Sequence, residues 1–161
     1  CLIPTMIDAI VDQARDLGAD HAHVIELDVD AGLCIRGREA ELYSAFSNLV
    51  FNAVRYTPAE GRITIRWKQI DAEPVFIVED SGVGIAPHHI PRLTERFYRV
   101  DTGRSRASGG TGLGLAIVKH VLLRHDGRLE IQSQLEQGSS FRCCFPAERS
   151  VTCEKTSADV A

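Results

Sequence analysis

No uninterrupted apolar run in the 161 residues reaches the roughly 18 that a membrane-crossing helix needs, and no charged-then-apolar leader opens the chain. A membrane span and a secretory signal are therefore not expected, and the chain reads as soluble. A basic excess is also missing: 18 lysines and arginines against 22 acidic residues leave a net charge of −4. That balance argues against a nucleic-acid partner and confines any anion site to a local patch. Cys1, Cys34, Cys143, Cys144 and Cys153 include no CxxC pair, and no histidine stands at zinc-finger spacing from them. They read as reduced thiols in a cytosolic setting, with no disulfide or metal role. The phosphate-loop pattern G-x-x-x-x-G-K-[ST] is absent, and the glycine cluster from Gly109 to Gly114 does not follow an apolar strand as a dinucleotide fingerprint would. No internal repeat occurs. A first residue of Cys1 rather than Met suggests a piece of a longer protein.

What remains is ordinary for one compact domain, with 44% hydrophobic and 25% charged residues. Apolar periodicity predicts a helix from Pro4 to Leu17, with Gly18 as its stop. Strands are expected over His21–Asp28, Leu33–Arg36, Arg62–Gln69 and Val75–Val78, the last two joined as a hairpin across Asp71–Pro74. His21 and His23 fit a solvated strand face. A third helix runs from Leu113 to His125, with Leu115, Ile117, Val118, Val121 and Leu122 inward and His120 and His125 as surface or cap residues. Strands at Arg128–Gln134 and Ser140–Phe145 follow, separated by a turn at Gln137-Gly138. From Ala147 to Ala161 the chain is polar and aperiodic, so residues 1–146 are expected to form the domain and 147–161 a disordered tail.

The chemistry gathers in three places. The first is the helix from about Arg38 to Tyr56, closed by Thr57-Pro58. At 100° per residue, Asn48, Asn52, Arg55 and Tyr56 fall within roughly a quarter of its circumference. Beside them runs the apolar stripe Leu42, Ala45, Phe46, Leu49, Val50, Ala53 and Val54, so a polar strip borders a core-facing face. The second is Asp80-Ser81-Gly82-Val83-Gly84-Ile85, where a carboxylate ends a strand and two glycines permit close backbone approach by a ligand. The third is His88–Gly112, which interleaves Arg92, Arg96, Arg99, Arg104 and Arg106 with Phe97 and Tyr98. It leads into Gly110, Thr111, Gly112, Leu113 and Gly114 at a helix N-terminus, where backbone N–H groups and the helix dipole suit an anion.

In this order and at this spacing the three elements resemble the catalytic and ATP-binding domain of bacterial sensor histidine kinases, in the wider group of Hsp90-type, gyrase-type and MutL-type ATPases. Asn48–Tyr56 is similar to the N box of that family, Asp80–Gly84 to the G1 box, Glu95–Arg99 to the F box and Gly110–Gly114 to the G2 box. The stretches Pro91–Asp101 and Gly112–His120 look most like the phosphate-regulon sensor kinases. Leu93-Thr94 stands near where many members carry a phenylalanine, a mild departure that bears on lid packing.

The resemblance implies an α/β two-layer sandwich, a mixed sheet of about five strands with three helices on one face. It implies ATP and Mg²⁺ as cofactors, with Asn52 as the metal ligand and Asn48 assisting. Arg55 and Arg99 would contact phosphate, less surely Arg104 or Arg106; Tyr56 would border the nucleotide, and Asp80 would accept a hydrogen bond from the adenine amino group beside Gly82 and Gly84. Gly110, Thr111, Gly112, Leu113 and Gly114 would cradle the phosphates. Related ATPases place a glutamate where Asn48 stands, and an amide is no base at neutral pH. The family reaction is therefore phosphoryl transfer, with Asn48, Arg55 and Arg99 the catalytic set. The acceptor is a histidine on a separate dimerisation domain, since none of this chain's histidines has the family's phosphoacceptor context. The implied partners are that domain and a response regulator. The implied setting is the cytoplasmic portion of a membrane-anchored homodimer, the fragment itself being monomeric. A serine-kinase anti-sigma factor and a nucleotide-binding module without catalysis are the alternatives.

Overall fold

A computed structural model describes residues 1–100 and 112–153. Three helices form where apolar periodicity places them. In α1, Ile3–Leu17, the residues Ile3, Met6, Ile7, Ile10, Val11 and Ala14 are buried at helical spacing. Pro4 lies in the first turn, where a missing N–H is harmless, and Gly18 caps the end. In α2, Glu39–Tyr56, the whole expected stripe from Leu42 to Val54 is buried, and Thr57 leaves in an extended conformation as a residue before proline prefers. In α3, Gly114–Arg124, Val118, Val121 and Leu122 are buried. Ile117, expected inside, is 40% exposed.

The strands are β1, Val24–Val29; β2, Leu33–Ile35; β3, Arg62–Ile70; β4, Glu73–Asp80; β5, Arg128–Gln134; β6, Gly138–Cys144; and β7, Ser150–Thr152. Five make a mixed sheet in the order β1-β3-β4-β6-β5. β1 and β3 run parallel, connected through α2, and the other neighbours are antiparallel. The β3–β4 turn is tighter than Asp71–Pro74: Asp71 and Ala72 alone make it, both with positive φ, as a two-residue hairpin turn requires. The inner sheet face meets the helices through stacked Phe46 and Phe76, centroids 4.0 Å apart, with Phe145 edge-on to Phe46 and to Trp67. Trp67 is fully buried and donates its Nε1–H to the carbonyl of Leu33 at 2.7 Å. The two-layer sandwich with three helices is thus borne out.

Five expectations need correction. Cys34 and Cys153 are joined in a disulfide, with Cα atoms 5.1 Å apart, so they are not reduced thiols; Cys1, Cys143 and Cys144 are free. Their sequence separation of 119 hides the pairing, which comes from β2 and β7 lying antiparallel with Cys34 opposite Val151. The same pairing shortens the supposed tail: Ala147–Arg149 form a 3-10 turn and Ser150–Thr152 form β7. Three residues with a single valine carry no readable period. Residues 154–161 lie outside the described residues. β1 starts at Val24, after a turn in which Ala22 has φ 50°. His23 is no solvated strand residue: its Nε2–H donates to the Thr57 carbonyl at 2.7 Å, tying β1 to the end of α2. His125 does cap α3 but is buried, donating from Nδ1 to the Val121 carbonyl and accepting the Arg38 N–H at Nε2. Among the described residues no helix is long and apolar enough to cross a membrane.

Candidate functional site

The polar strip of α2 meets the first turn of α3. Asn48 donates its Nδ2–H to the Ser44 carbonyl one turn back, at 2.7 Å, which turns Oδ1 away from its own helix. Gly114 lies against that oxygen: a Cβ there would stand 2.8 Å from Asn48 Oδ1 and 3.8 Å from Asn52 Nδ2. The helix N-terminus, whose first N–H groups have no intrahelical acceptor, therefore shares one place with both amides. Leu113 is the residue before that helix, in its N-cap position.

The end of β4 meets the end of α2. Asp80 Oδ1 accepts the Gly82 N–H at 2.9 Å, and Gly82 is pressed so close to α2 that a Cβ would lie 2.5 Å from the Tyr56 carbonyl oxygen. Burial pushes the Asp80 carboxyl above its ordinary range, and the N–H groups of Gly82 and Ser139 pull it part of the way back. Gly84 has φ 70°, and a Cβ on it would overlap the Gln134 carbonyl oxygen at the end of β5. The turn is held there by Glu136 N–H donating to the Val83 carbonyl at 2.7 Å and Ile85 N–H donating to Ser133 Oγ at 2.8 Å.

The basic segment is pinned at its flanks. Phe97, with φ 66°, donates its N–H to the Gly112 carbonyl at 2.9 Å, and Gly112, with φ 74°, packs on the Phe97 backbone. Tyr98 hydrogen-bonds His89 Nδ1 and lies under the Arg92 guanidinium, 4.4 Å from the ring centroid. Arg92 also pairs with Glu95 at 3.3 Å.

Of the predicted residues, Asn48, Asn52 and Gly114 come together, as do Asp80, Gly82 and the backbone of Tyr56. Gly84 docks on the β5–β6 turn and Gly112 on Phe97. Arg55 is exposed, Tyr56 is 48% exposed and Arg99 is partly exposed. Gly110, Thr111, Arg104 and Arg106 lie outside the described residues. Ser133, Gly138 and Ser139 escaped notice because only the pairing of Asp80 with Ser139 brings them beside the carboxylate. A serine pair flanking the Gln137-Gly138 turn was the available signal. Two hollows of about 340 and 380 Å³, one at the β2–β7 edge and one between α3, β5 and Ile90–Thr94, include neither Asn52 nor Asp80. No group of three or more His, Cys, Asp or Glu side chains among the described residues could hold a metal.

Known proteins resemble this chain in sequence and fold. The family model described as histidine kinase-, DNA gyrase B- and HSP90-like ATPase matches residues 37–149. A phosphate regulon sensor protein, PhoR of Pseudomonas aeruginosa, is 54% identical over 150 residues, which cover 90% of this chain and 34% of that protein. The chain thus spans about a third of that relative's length. The solved mycobacterial sensor histidine kinase MprB superposes with a TM-score of 0.80 at 31% identity, covering 89% of this chain and 95% of that one. Full-length ShkA in complex with AMPPNP superposes with a TM-score of 0.70 at 29% identity, covering 91% of this chain and 30% of that one.

Proposed function

Because this chain belongs to the histidine kinase-, DNA gyrase B- and HSP90-like ATPase family and corresponds to the ATPase domain of sensor histidine kinases, we propose that its three chemical elements form one Mg-ATP site serving phosphoryl transfer to histidine. The observation that carries this is Gly114 seated against the amides of Asn48 and Asn52. It brings a helix N-terminus suited to phosphate beside two side-chain amides, the kind of group that offers Mg²⁺ a hard oxygen.

Asn52 is the metal ligand. A single amide oxygen fits Mg²⁺, which takes its remaining ligands from phosphates and water. The ion would supply charge neutralisation between the phosphates. Asp80 accepts the adenine 6-amino hydrogen; its partly desolvated carboxylate makes a stronger acceptor than one in water. Guanine, with a carbonyl at that position, is refused. Gly82 and Gly84 shape this pocket, and Tyr56 borders it. Arg55 and Arg99 meet the phosphates, with the backbone from Gly110 to Gly114 around them.

Asn48 decides the reaction class. It has no basicity, and its amino group is committed to Ser44, so nothing at this position activates water. The γ-phosphoryl passes instead to a histidine on a dimerisation domain, and from there to a response regulator. Identity to the phosphate regulon sensor supports phosphate-regulon signalling within a membrane-anchored homodimer whose catalytic part faces the cytoplasm.

Calorimetric titration with ATP, with and without Mg²⁺, tests the site. Asn52→Ala should remove the Mg²⁺-dependent share of affinity, and Asp80→Ala should weaken binding by at least tenfold, about 1.4 kcal/mol. Unchanged affinity in both variants would refute the assignment. Joining the dimerisation domain and assaying for acid-labile, base-stable phosphate then tests transfer to histidine.

A further inference from the structure

Ser133, near the end of β5, has every hydrogen-bonding position of its hydroxyl filled. It accepts the Ile85 N–H at 2.8 Å, donates to the Gly138 carbonyl at 3.0 Å and contacts Ser139 Oγ at 2.8 Å. A carbonyl can only accept, so the single Ser133 proton goes to Gly138, and Ser139 must donate its own proton to Ser133. One side chain thereby joins two backbone segments that both touch Asp80. Ile85 closes the Asp80–Ile85 turn. Gly138 and Ser139 open β6, where Ser139 lies opposite Asp80 and its backbone N–H helps to hold down the proton affinity of the carboxyl. A Cβ on Gly138 would overlap the Asp80 carbonyl, so little slack exists between β6 and the carboxylate-bearing residue.

We propose that Ser133 is a positioning residue for base recognition, a latch that fixes the direction of the Asp80 carboxylate by tying the turn after it to the strand beside it. The inference rests on Asp80 being the acceptor for the adenine amino group. Hydrogen bonds to a carboxylate depend steeply on angle, so loss of the latch lowers adenine recognition selectively rather than binding as a whole. Phosphate contacts, made by α3 and arginines elsewhere, do not pass through Ser133.

The test compares two ligands, ATP and a purine riboside triphosphate lacking the 6-amino group, on the parent, Ser133→Ala, Ser133→Thr and Asp80→Ala. Ser133→Ala should weaken ATP about tenfold, the scale of one lost hydrogen bond with its partner left unpaired, while the analogue's affinity stays within about twofold. Ser133→Thr, which keeps the hydroxyl, should restore the parental ratio, and Asp80→Ala should abolish it. If Ser133→Ala weakens both ligands equally, or neither, while Asp80→Ala removes the ratio, Ser133 is only a structural residue and the inference falls. If Asp80→Ala leaves the ratio intact, the adenine assignment itself falls, and the inference with it. Should Ser133→Ala not fold, Ser133→Cys, of similar size and with weaker hydrogen bonds, must show a smaller loss of the same selective kind, and an unselective loss overturns the proposal.

Discussion

Replacing Gly84 by alanine should dismantle the base side of the site while leaving the sheet intact. Alanine at φ 70° costs about 1–2 kcal/mol, because Cβ crowds the following carbonyl in the left-handed region. The new methyl would also overlap the Gln134 carbonyl oxygen, standing 2.7 Å from its carbon and 2.9 Å from the Leu135 Cα, where ordinary contact begins at 3.4 Å. Both neighbours are backbone atoms held by the β5–β6 pairing, so the turn must move away from the sheet. It then gives up the Glu136–Val83 and Ile85–Ser133 hydrogen bonds, each worth about 1 kcal/mol net. The total is about 3–4 kcal/mol, equivalent to a fall in melting temperature on the order of 10 °C for a domain of this size. Urea unfolding measures the loss and calorimetry the accompanying loss of ATP affinity. Gly32→Ala is the control, since its Cβ would meet only Asp30 Oδ1 at 3.4 Å, an ordinary contact. A Gly84→Ala domain that unfolds and binds ATP like Gly32→Ala would refute the docking of this turn.

Cys34→Ser should lower the melting temperature more in oxidising than in reducing buffer. The chain-entropy model puts the stabilisation from closing so long a loop at up to about 4–5 kcal/mol, and parent and variant melts that coincide in oxidising buffer would count against the bond. Asp80 has a proton affinity raised by burial, so the folded state holds more protons than the unfolded state between the two pKa values, and parental stability falls as pH rises through that window. Asp80→Asn lacks this fall, so the urea midpoints of the two should diverge as pH rises above the ordinary aspartate range; parallel profiles would contradict it.

Much of the fold was legible because its elements are long or strongly periodic. The α2 stripe from Leu42 to Val54 is buried to the last predicted residue. The run Val75–Val78 is buried throughout, although alternate residues face opposite sides of β4: Phe76 and Val78 join the helices, whereas Val75 and Ile77 pack with Cys144 on the outer face. What escaped depends on partners remote in sequence. β7 exists because β2 offers an edge, and the disulfide exists because the two are paired. His125 carries no local mark of burial: Val121 lies one turn back on its own helix, but the Arg38 N–H reaches it only through the packing of α2 and α3. The same division runs through the site. Asn48, Asn52, Asp80 and the glycines announce themselves by residue type, but Ser133 is an ordinary strand serine until β5 and β6 are paired.

The two halves of the site are built differently, and that bears on how it works. On the base side, Asp80, Gly82 and Gly84 are fixed by close backbone contacts with α2 and with the β5–β6 turn. If the base binds there as proposed, little ordering remains to be done when a nucleotide arrives, and base selection would rest on a preformed shape. On the proposed phosphate side, Arg55 is exposed and Arg99 partly exposed, so long side chains of high rotamer freedom would meet a highly charged ligand. Their ordering entropy is lost on binding and is offset by charge-assisted hydrogen bonds to the phosphates. Affinity should therefore come chiefly from the phosphates, and discrimination between bases from the fixed turn. Asn48 lies on the proposed phosphate side, its amide nitrogen bonded to Ser44 on its own helix and its Oδ1 against Gly114 of α3. In the proposed reaction a residue so placed would hold the phosphate side in register without taking a proton from water, which suits keeping ATP intact until an external nucleophile reaches it.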